Sequence, residues 1–167
     1  ELHRAGNELF GEGRYTEAIA HYTRAIARDP CVVEVYFNRA LAFMNTGDYG
    51  EAHGDLEAAL QLDPALPETH YLCGRVRERL GEYAQASAAY LECYHQASVA
   101  GDDTYRRKAV LQLEALMRKP AEDRRGRGAR ADEEEAALND FAPCSLDDAP
   151  AWDGFGGECP AKTALME

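Results

Sequence analysis

The chain of 167 residues is long enough for one domain, and its hydrophobic fraction of 46% is sufficient for a buried core. Its formal net charge is -12, from 30 acidic and 18 basic residues. A chain with this excess of carboxylates repels phosphate backbones and anionic lipid surfaces. The composition therefore argues against nucleic acids and membranes as partners. No apolar run approaches the roughly 20 residues that span a bilayer.

Cysteine and histidine spacing gives no sign of a chemical centre. The five cysteines are scattered and include no Cys-x-x-Cys pair, which argues against a disulfide framework and a structural zinc site. We therefore expect reduced thiols and a cytoplasmic or nuclear location. The five histidines lack the spacing of a helical metal site. We expect no cofactor, no metal and no enzymatic activity. The initial Glu1, in place of Met, suggests a fragment of a longer protein.

A repeat of 34 residues emerges when the sequence is shifted against itself. The residues that coincide are Gly6, Ala40 and Gly74; Gly13, Gly47 and Gly81; Tyr15, Tyr49 and Tyr83; Ala18, Ala52 and Ala86; and Tyr22, Leu56 and Tyr90. The first two units end in Asp-Pro, at 29–30 and 63–64. So many coincidences at one spacing indicate three copies of one structural unit.

Each repeated position has a physical interpretation. Glycine in the middle of a helix costs about 1 kcal/mol relative to alanine, so we expect Gly6 and Gly74 to admit a closely packed second helix. The glycines equivalent to Gly13 are expected to end the first helix in the left-handed conformation. Apolar residues then recur at three- and four-residue intervals, as at Ala18 and Tyr22, which predicts a second helix buried on one face. Each unit is therefore a helical hairpin, and proline ends it.

The segments 6–30, 40–64 and 74–98 resemble the tetratricopeptide repeat (TPR) family. The resemblance implies an all-α solenoid, with TPR repeats at about 1–32, 33–66 and 67–100 in a domain of residues 1–119. The third repeat lacks the closing proline, which suits a last repeat. Asp102 or Asp103 can then cap a terminal helix at about 103–119. We expect this helix to close the array with a polar face formed by Arg106, Arg107, Lys108, Gln112 and Glu114.

Residues 120–167 have a different composition, with 12 acidic and five basic residues and many Pro, Gly and Ala. This composition predicts a disordered acidic tail or linker. Its acidic part contains the apolar residues Phe141, Leu146, Trp152 and Phe155. Their pattern leaves three alternatives open: a linker, a docking motif for another protein, or a segment that contacts the chain's own groove. The basic run 124–130 is either a self-neutralising linker or a nuclear-import or RNA-contacting patch.

The resemblance also implies that the first helix of each hairpin lines a concave groove, in which a peptide segment of another protein binds. The residues we expect to contact it are Asn7, Phe37, Asn38, Leu41, Tyr71, Arg75 and Arg79. For Phe37 and Leu41 the alternative is packing between helices, whereas for Asn7, Asn38 and Arg75 a role in the groove is favoured, because solvent-facing amides add little to stability. The function implied is that of a non-catalytic adaptor. The alternatives are a recruiting module of a larger enzyme, such as a ubiquitin ligase or phosphatase, and a co-chaperone with an atypical carboxylate clamp.

A standard carboxylate clamp is not predicted. Co-chaperones of the TPR family hold the C-terminal carboxylate of heat-shock chaperones with two asparagines and three basic residues. Asn7 and Asn38 stand at the matching asparagine positions, but the matching basic positions hold His3, Glu68 and Leu72. A carboxylate requires charge-assisted donors, and Glu68 would repel it.

Overall fold

The computed structural model describes residues 1–119, and within this range the regular structure is entirely α-helical. The helices are α1 Leu2–Gly11, α2 Tyr15–Arg28, α3 Val33–Thr46, α4 Tyr49–Leu62, α5 Pro67–Arg79, α6 Tyr83–Ala100 and α7 Asp103–Arg118. The all-α prediction is confirmed. The predicted disordered acidic tail, 120–167, lies outside the described residues, as do the basic run at 124–130 and any contact of the tail with the groove.

The helices form three hairpins, α1 with α2, α3 with α4 and α5 with α6, and α7 then packs on α6. The tight turns within the hairpins are at Gly13, Gly47 and Gly81, whose φ angles are 77°, 87° and 77°. A residue with a Cβ adopts such angles only with strain, which explains why glycine recurs at this position. The predicted helix ends are therefore confirmed.

Within the first and third hairpins, a tyrosine of the second helix packs on the glycine of the first. A Cβ added to Gly6 would lie only 2.6 Å from Cε1 of Tyr22, and Tyr90 lies similarly close to Gly74. Both tyrosines are fully buried. In the second hairpin the same positions hold Ala40 and Leu56, again fully buried. Relative to the other hairpins, the first helix has the larger residue alanine in place of glycine, and the second helix has the smaller leucine in place of tyrosine. The summed volume is thus similar in each hairpin, as close packing requires.

The terminal helix α7 begins as predicted. The side chain of Asp102 accepts hydrogen bonds from the backbone N–H groups of Thr104 and Tyr105, at 2.8 and 3.1 Å. The predicted polar outer face is only partly present, because Leu111 and Met117 are more than 60% exposed. The predicted members of that face that are half-buried instead are Arg106, Lys108 and Gln112.

The cysteines of the described part differ in state. Cys73 and Cys93 are free and buried, and burial raises the pKa of each thiol to about 12. These two thiols stay protonated near neutral pH and are poor nucleophiles. Cys31 is disulfide-bonded, so the expectation of reduced cysteines is wrong at that position. Among residues 1–119, no helix is both long and apolar enough to cross a bilayer.

Candidate peptide-binding groove

The first helices of the hairpins form one side of the solenoid. Helix α1 contacts α3 directly and α5 contacts α7, whereas α2, α4 and α6 do not approach one another to the same extent. The pairs that lie closer together are on the inner side of a curved array, which agrees with the implied placement of α1, α3, α5 and α7 along the concave surface. Residues spaced four apart on a helix share a face. Arg75 and Arg79 therefore lie along one face of α5.

At the N-terminal end of the groove, two polar side chains meet on Asn7. Its Oδ1 accepts hydrogen bonds from the Tyr22 hydroxyl at 2.8 Å and from Nδ2 of Asn38 at 3.2 Å. With Oδ1 turned towards these two donors, the Nδ2 group of Asn7 is turned away from them. Asn7 is half-buried, but Asn38 is fully buried. The side chain of Asn38 is therefore covered, and its amide supports Asn7 from within.

His3 completes this polar cluster. Its Nε2 lies 2.9 Å from Nδ2 of Asn38, and its side chain is 6% exposed. Burial lowers the pKa of His3, although nearby Glu34 acts in the opposite direction. Nε2 therefore accepts from Asn38 in a neutral imidazole, which places the proton on Nδ1. Within residues 1–119, Nδ1 has no hydrogen-bond partner.

The middle of the groove is formed by apolar residues of α3 that are largely covered. Phe37 is 5% exposed, Leu41 1% and Met44 2%. Of the two interpretations given for Phe37 and Leu41, packing between helices agrees with these values. A bound peptide could touch little more than the edges of these side chains.

The C-terminal end of the groove combines cations with tyrosines. Arg75 is half-buried, and burial opposes its charge, but a hydrogen bond with Tyr71 and the proximity of Glu78 keep its pKa raised. The guanidinium of Arg79 lies 5.7 Å from the ring centroid of Tyr49. Tyr71 itself is 5% exposed, covered by Tyr90 and α7. Of the three predicted α5 residues, the two arginines are thus the more accessible.

Helix α7 adds groove residues at positions where the sequence predicts an outer, polar face. Lys108 Nζ lies 4.9 Å from the ring centroid of Tyr105, and Gln112 Nε2 donates to the Tyr71 hydroxyl at 3.4 Å. Just after α7, Lys119 Nζ lies 3.4 Å from Oε1 of Glu78. A signal for this was present, because Tyr105 follows Tyr71 by 34 residues. Helix α7 occupies the place of the first helix of a fourth repeat.

The three positions at which a carboxylate clamp requires bases lack a cation. His3 is buried and its pKa is lowered, and Leu72 is fully buried. Glu68 is half-buried, and its pKa is raised mainly by burial, with a further contribution from Asp102 and Asp63. A C-terminal carboxylate placed between these residues would meet no charge-assisted donor from any of them.

Outside the groove, a cleft of about 430 Å³ lies between α4, α5 and α6. Cys73 and His70 border it, together with Arg77 and Glu57. Its one thiol is held protonated by burial, as described above. Across residues 1–119, no group of His, Cys, Asp or Glu side chains is arranged to hold a metal ion.

Comparison with known proteins gives a consistent result. The family model of the tetratricopeptide repeat matches residues 3–67 and 37–102. Hsp70-Hsp90 organizing protein 1 of Glycine max is 37% identical over 92 residues, which is 55% of this chain and 16% of that protein. The E3 ubiquitin-protein ligase TTC3 of Rattus norvegicus is 32% identical over 122 residues, 73% of this chain and 6% of that protein. The chain therefore spans less than a fifth of these curated relatives.

Among solved structures, the second TPR domain of human RPAP3 resembles the chain with a TM-score of 0.62 and 29% identity. The match covers 71% of this chain and 93% of that one. That domain was solved in complex with the HSP70 peptide SGPTIEEVD. The peptide carries three acidic side chains and no basic one.

Proposed function

The chain belongs to the tetratricopeptide repeat family, and on that premise we propose that it is a non-catalytic adaptor whose concave groove binds a peptide segment of another protein. The observation that carries the proposal is the arrangement of polar groups on the concave side. An amide held in place by buried donors, Asn7, lies on the same side as two accessible guanidinium groups, Arg75 and Arg79. Amides recognise peptide backbone, and guanidinium groups recognise carboxylates.

The position of the cations suggests how an acidic peptide would be held. The three basic positions of a standard clamp lack cations, whereas Arg75 and Arg79 lie further along α5. We therefore infer that side-chain carboxylates within a segment, rather than a terminal carboxylate, are the main anionic contacts. The acidic peptide bound by the RPAP3 domain has the general chemistry that such a groove would accept.

A binding titration of the chain with the peptide SGPTIEEVD tests this proposal. Asn38→Ala would remove a partner from a fully buried cluster at a cost of about 1–3 kcal/mol, so the half-buried Asn7 and Arg79 are better sites for substitution. Asn7→Ala and Arg79→Glu should each weaken binding about fivefold or more, a loss of roughly 1 kcal/mol. The matched control is Arg24→Glu, which reverses an exposed charge on α2.

Circular dichroism should show equal helical content in all three variants. Equal affinities of the wild-type chain and both groove variants would contradict the assignment of the groove. Tight binding that requires the terminal carboxylate, as judged with the amidated peptide, would instead indicate a co-chaperone with an atypical clamp.

A second candidate is a recruiting module within a larger enzyme. The similarity to the ubiquitin ligase TTC3 over 73% of this chain, but only 6% of that protein, favours it. In this case the groove would bind a substrate, and catalysis would reside in another part of a longer polypeptide. The full-length transcript decides between the two candidates, since a reading frame without a catalytic domain would exclude the enzyme. A cytoplasmic or nuclear location remains a prediction, testable by imaging of the tagged protein.

A further inference from the structure

Four cations gather at the C-terminal end of the groove. Arg75 and Arg79 belong to α5, Lys108 to α7, and Lys119 follows α7. We call these four residues the basic end. They outnumber the two carboxylates of α5, Glu68 and Glu78, in a chain whose overall charge is -12. An excess of positive charge at one place in an acidic protein attracts anionic segments selectively.

The basic end is also aromatic. Lys119 Nζ lies 4.7 Å from the ring centroid of Tyr83, and Lys108 Nζ and the Arg79 guanidinium lie over Tyr105 and Tyr49. These three rings are half-buried, so each ring is partly exposed at the surface. Rings and cations in alternation suit a ligand that carries aromatic side chains and carboxylates close together.

The chain itself contains such a ligand. Residues 140–158, outside the described helices, include five acids and no base, together with Phe141, Trp152 and Phe155. Within this segment Trp152 is preceded by Asp147 and Asp148 and followed by Asp153. The segment is thus complementary to the basic end in both charge and aromatic content.

The connection is long enough for intramolecular docking. The 27 residues 120–146 can span at most about 90 Å, whereas α5 with its 13 residues is only about 20 Å long. Lys119, the residue at which the connection begins, already belongs to the basic end. A tethered segment experiences an effective concentration on the order of millimolar, so that modest affinity is sufficient for docking.

We propose that residues 147–155 dock on the basic end of the chain's own groove and compete there with partner peptides. This inference rests on the proposed function, because it assigns a regulatory occupant to the same groove. A partner must then displace the segment, which favours partners that carry more carboxylates or bind more of the groove.

Trp152 is the only tryptophan of the chain, so its fluorescence reports on the segment directly. The experiment compares the 167-residue chain with a synthetic peptide of residues 145–157. Docking predicts that Trp152 in the chain emits at shorter wavelength than in the peptide. The acrylamide quenching constant should be at least about threefold lower in the chain than in the peptide, at every protein concentration. In about 1 M salt, where the screening length is about 3 Å, both values should approach those of the peptide.

Charge reversals on each side identify the contact. Asp147→Lys combined with Asp148→Lys alters only residues outside the described helices, and it should expose Trp152. Arg79→Glu should do the same from the groove side. Arg24→Glu, on the exposed side of α2, is the matched control and should leave Trp152 protected. Circular dichroism checks that helical content is equal in all chains.

The inference is overturned if Trp152 in the wild-type chain behaves as in the free peptide, or if Arg79→Glu and the double aspartate variant leave it protected. Protection that disappears on dilution would also overturn it, since the contact would then join two copies. Titration with the peptide SGPTIEEVD distinguishes a failure of docking from a failure of the proposed function. If the segment docks, the double aspartate variant should bind this peptide severalfold more tightly than the wild-type chain does. If no chain binds the peptide, the adaptor function is contradicted, but the docking of the segment is not.

Discussion

The hydroxyl of Tyr22 donates a hydrogen bond of 2.8 Å to Oδ1 of Asn7, and so a residue of the buried core orients an amide of the groove. Tyr22→Phe removes this donor and leaves the packing of the ring on Gly6 intact. We expect a loss of about 1 kcal/mol in the free energy of unfolding, the usual net value of such a bond. Affinity for a groove peptide should also fall, because Asn7 loses the shorter of the hydrogen bonds from Tyr22 and Asn38 that orient its amide.

Tyr90→Phe provides the control for this change. The Tyr90 hydroxyl donates to Oε2 of Glu78 at 2.6 Å, at the other end of the groove, so its loss should reduce stability without affecting Asn7. Urea unfolding and peptide titration measure the two effects separately. If Tyr22→Phe lowered stability but left peptide affinity unchanged, the orientation of Asn7 would be irrelevant to binding.

The close contact of Gly74 with Tyr90 predicts a strong effect of a single methyl group. Gly74→Ala places a Cβ inside the contact distance of a fully buried ring, and we expect destabilisation by about 1–3 kcal/mol. Gly54→Ala in α4 is the matched control, because a Cβ there would meet nothing within 4 Å. That change should instead stabilise by about 0.5–1 kcal/mol. Urea midpoints at equal m-values measure both, and equal effects of the two substitutions would contradict the packing argument.

The hairpins could be predicted from the sequence because each depends on local residue chemistry that recurs. A left-handed turn requires glycine at Gly13 and its equivalents, and a large ring at Tyr22 requires a small residue at Gly6. Such requirements leave a mark at every repeat, so shifting the sequence by 34 residues reveals them.

The burial of Asn38, in contrast, could not be predicted from the sequence pattern. An amide that faces solvent and an amide that joins a buried hydrogen-bond cluster have the same side chain, and only the positions of His3 and Asn7 distinguish them. The role of α7 differs from the prediction for another reason. The polar side chain of Lys108 predicts an exposed end, although the position of Tyr105, one repeat after Tyr71, indicates a helix that lines the groove.

The buried imidazole of His3 predicts a dependence of stability on pH. Burial lowers the pKa of His3 in the folded chain, while the unfolded chain binds a proton with the ordinary pKa of 6.5. The unfolded state therefore gains more protons as pH falls below that value, and the folded state loses stability. We expect the melting temperature to fall between about pH 7.5 and 5.5, with a smaller decrease in His3→Gln. Coincident pH profiles of the two chains would show that His3 titrates normally.

Substitution of Glu68 is expected to strengthen peptide binding rather than weaken it. It stands where a carboxylate clamp has a base, and burial, the largest contribution, raises its pKa together with Asp102 and Asp63, so a second carboxylate nearby is unfavourable. Glu68→Lys replaces this repulsion by attraction and should strengthen binding of SGPTIEEVD by about tenfold, or 1.4 kcal/mol. Glu51→Lys, an exposed change of the same charge on α4, should have little effect.

Calorimetric titration at low and high salt distinguishes a local contact from a general gain in positive charge. The advantage of Glu68→Lys over Glu51→Lys should persist at high salt, because a direct, half-buried ion pair is screened less than exposed charges at a distance. Equal gains in the two variants would mean that an acidic peptide does not approach the N-terminal end of α5. The groove contacts would then be confined to Asn7 and the basic end.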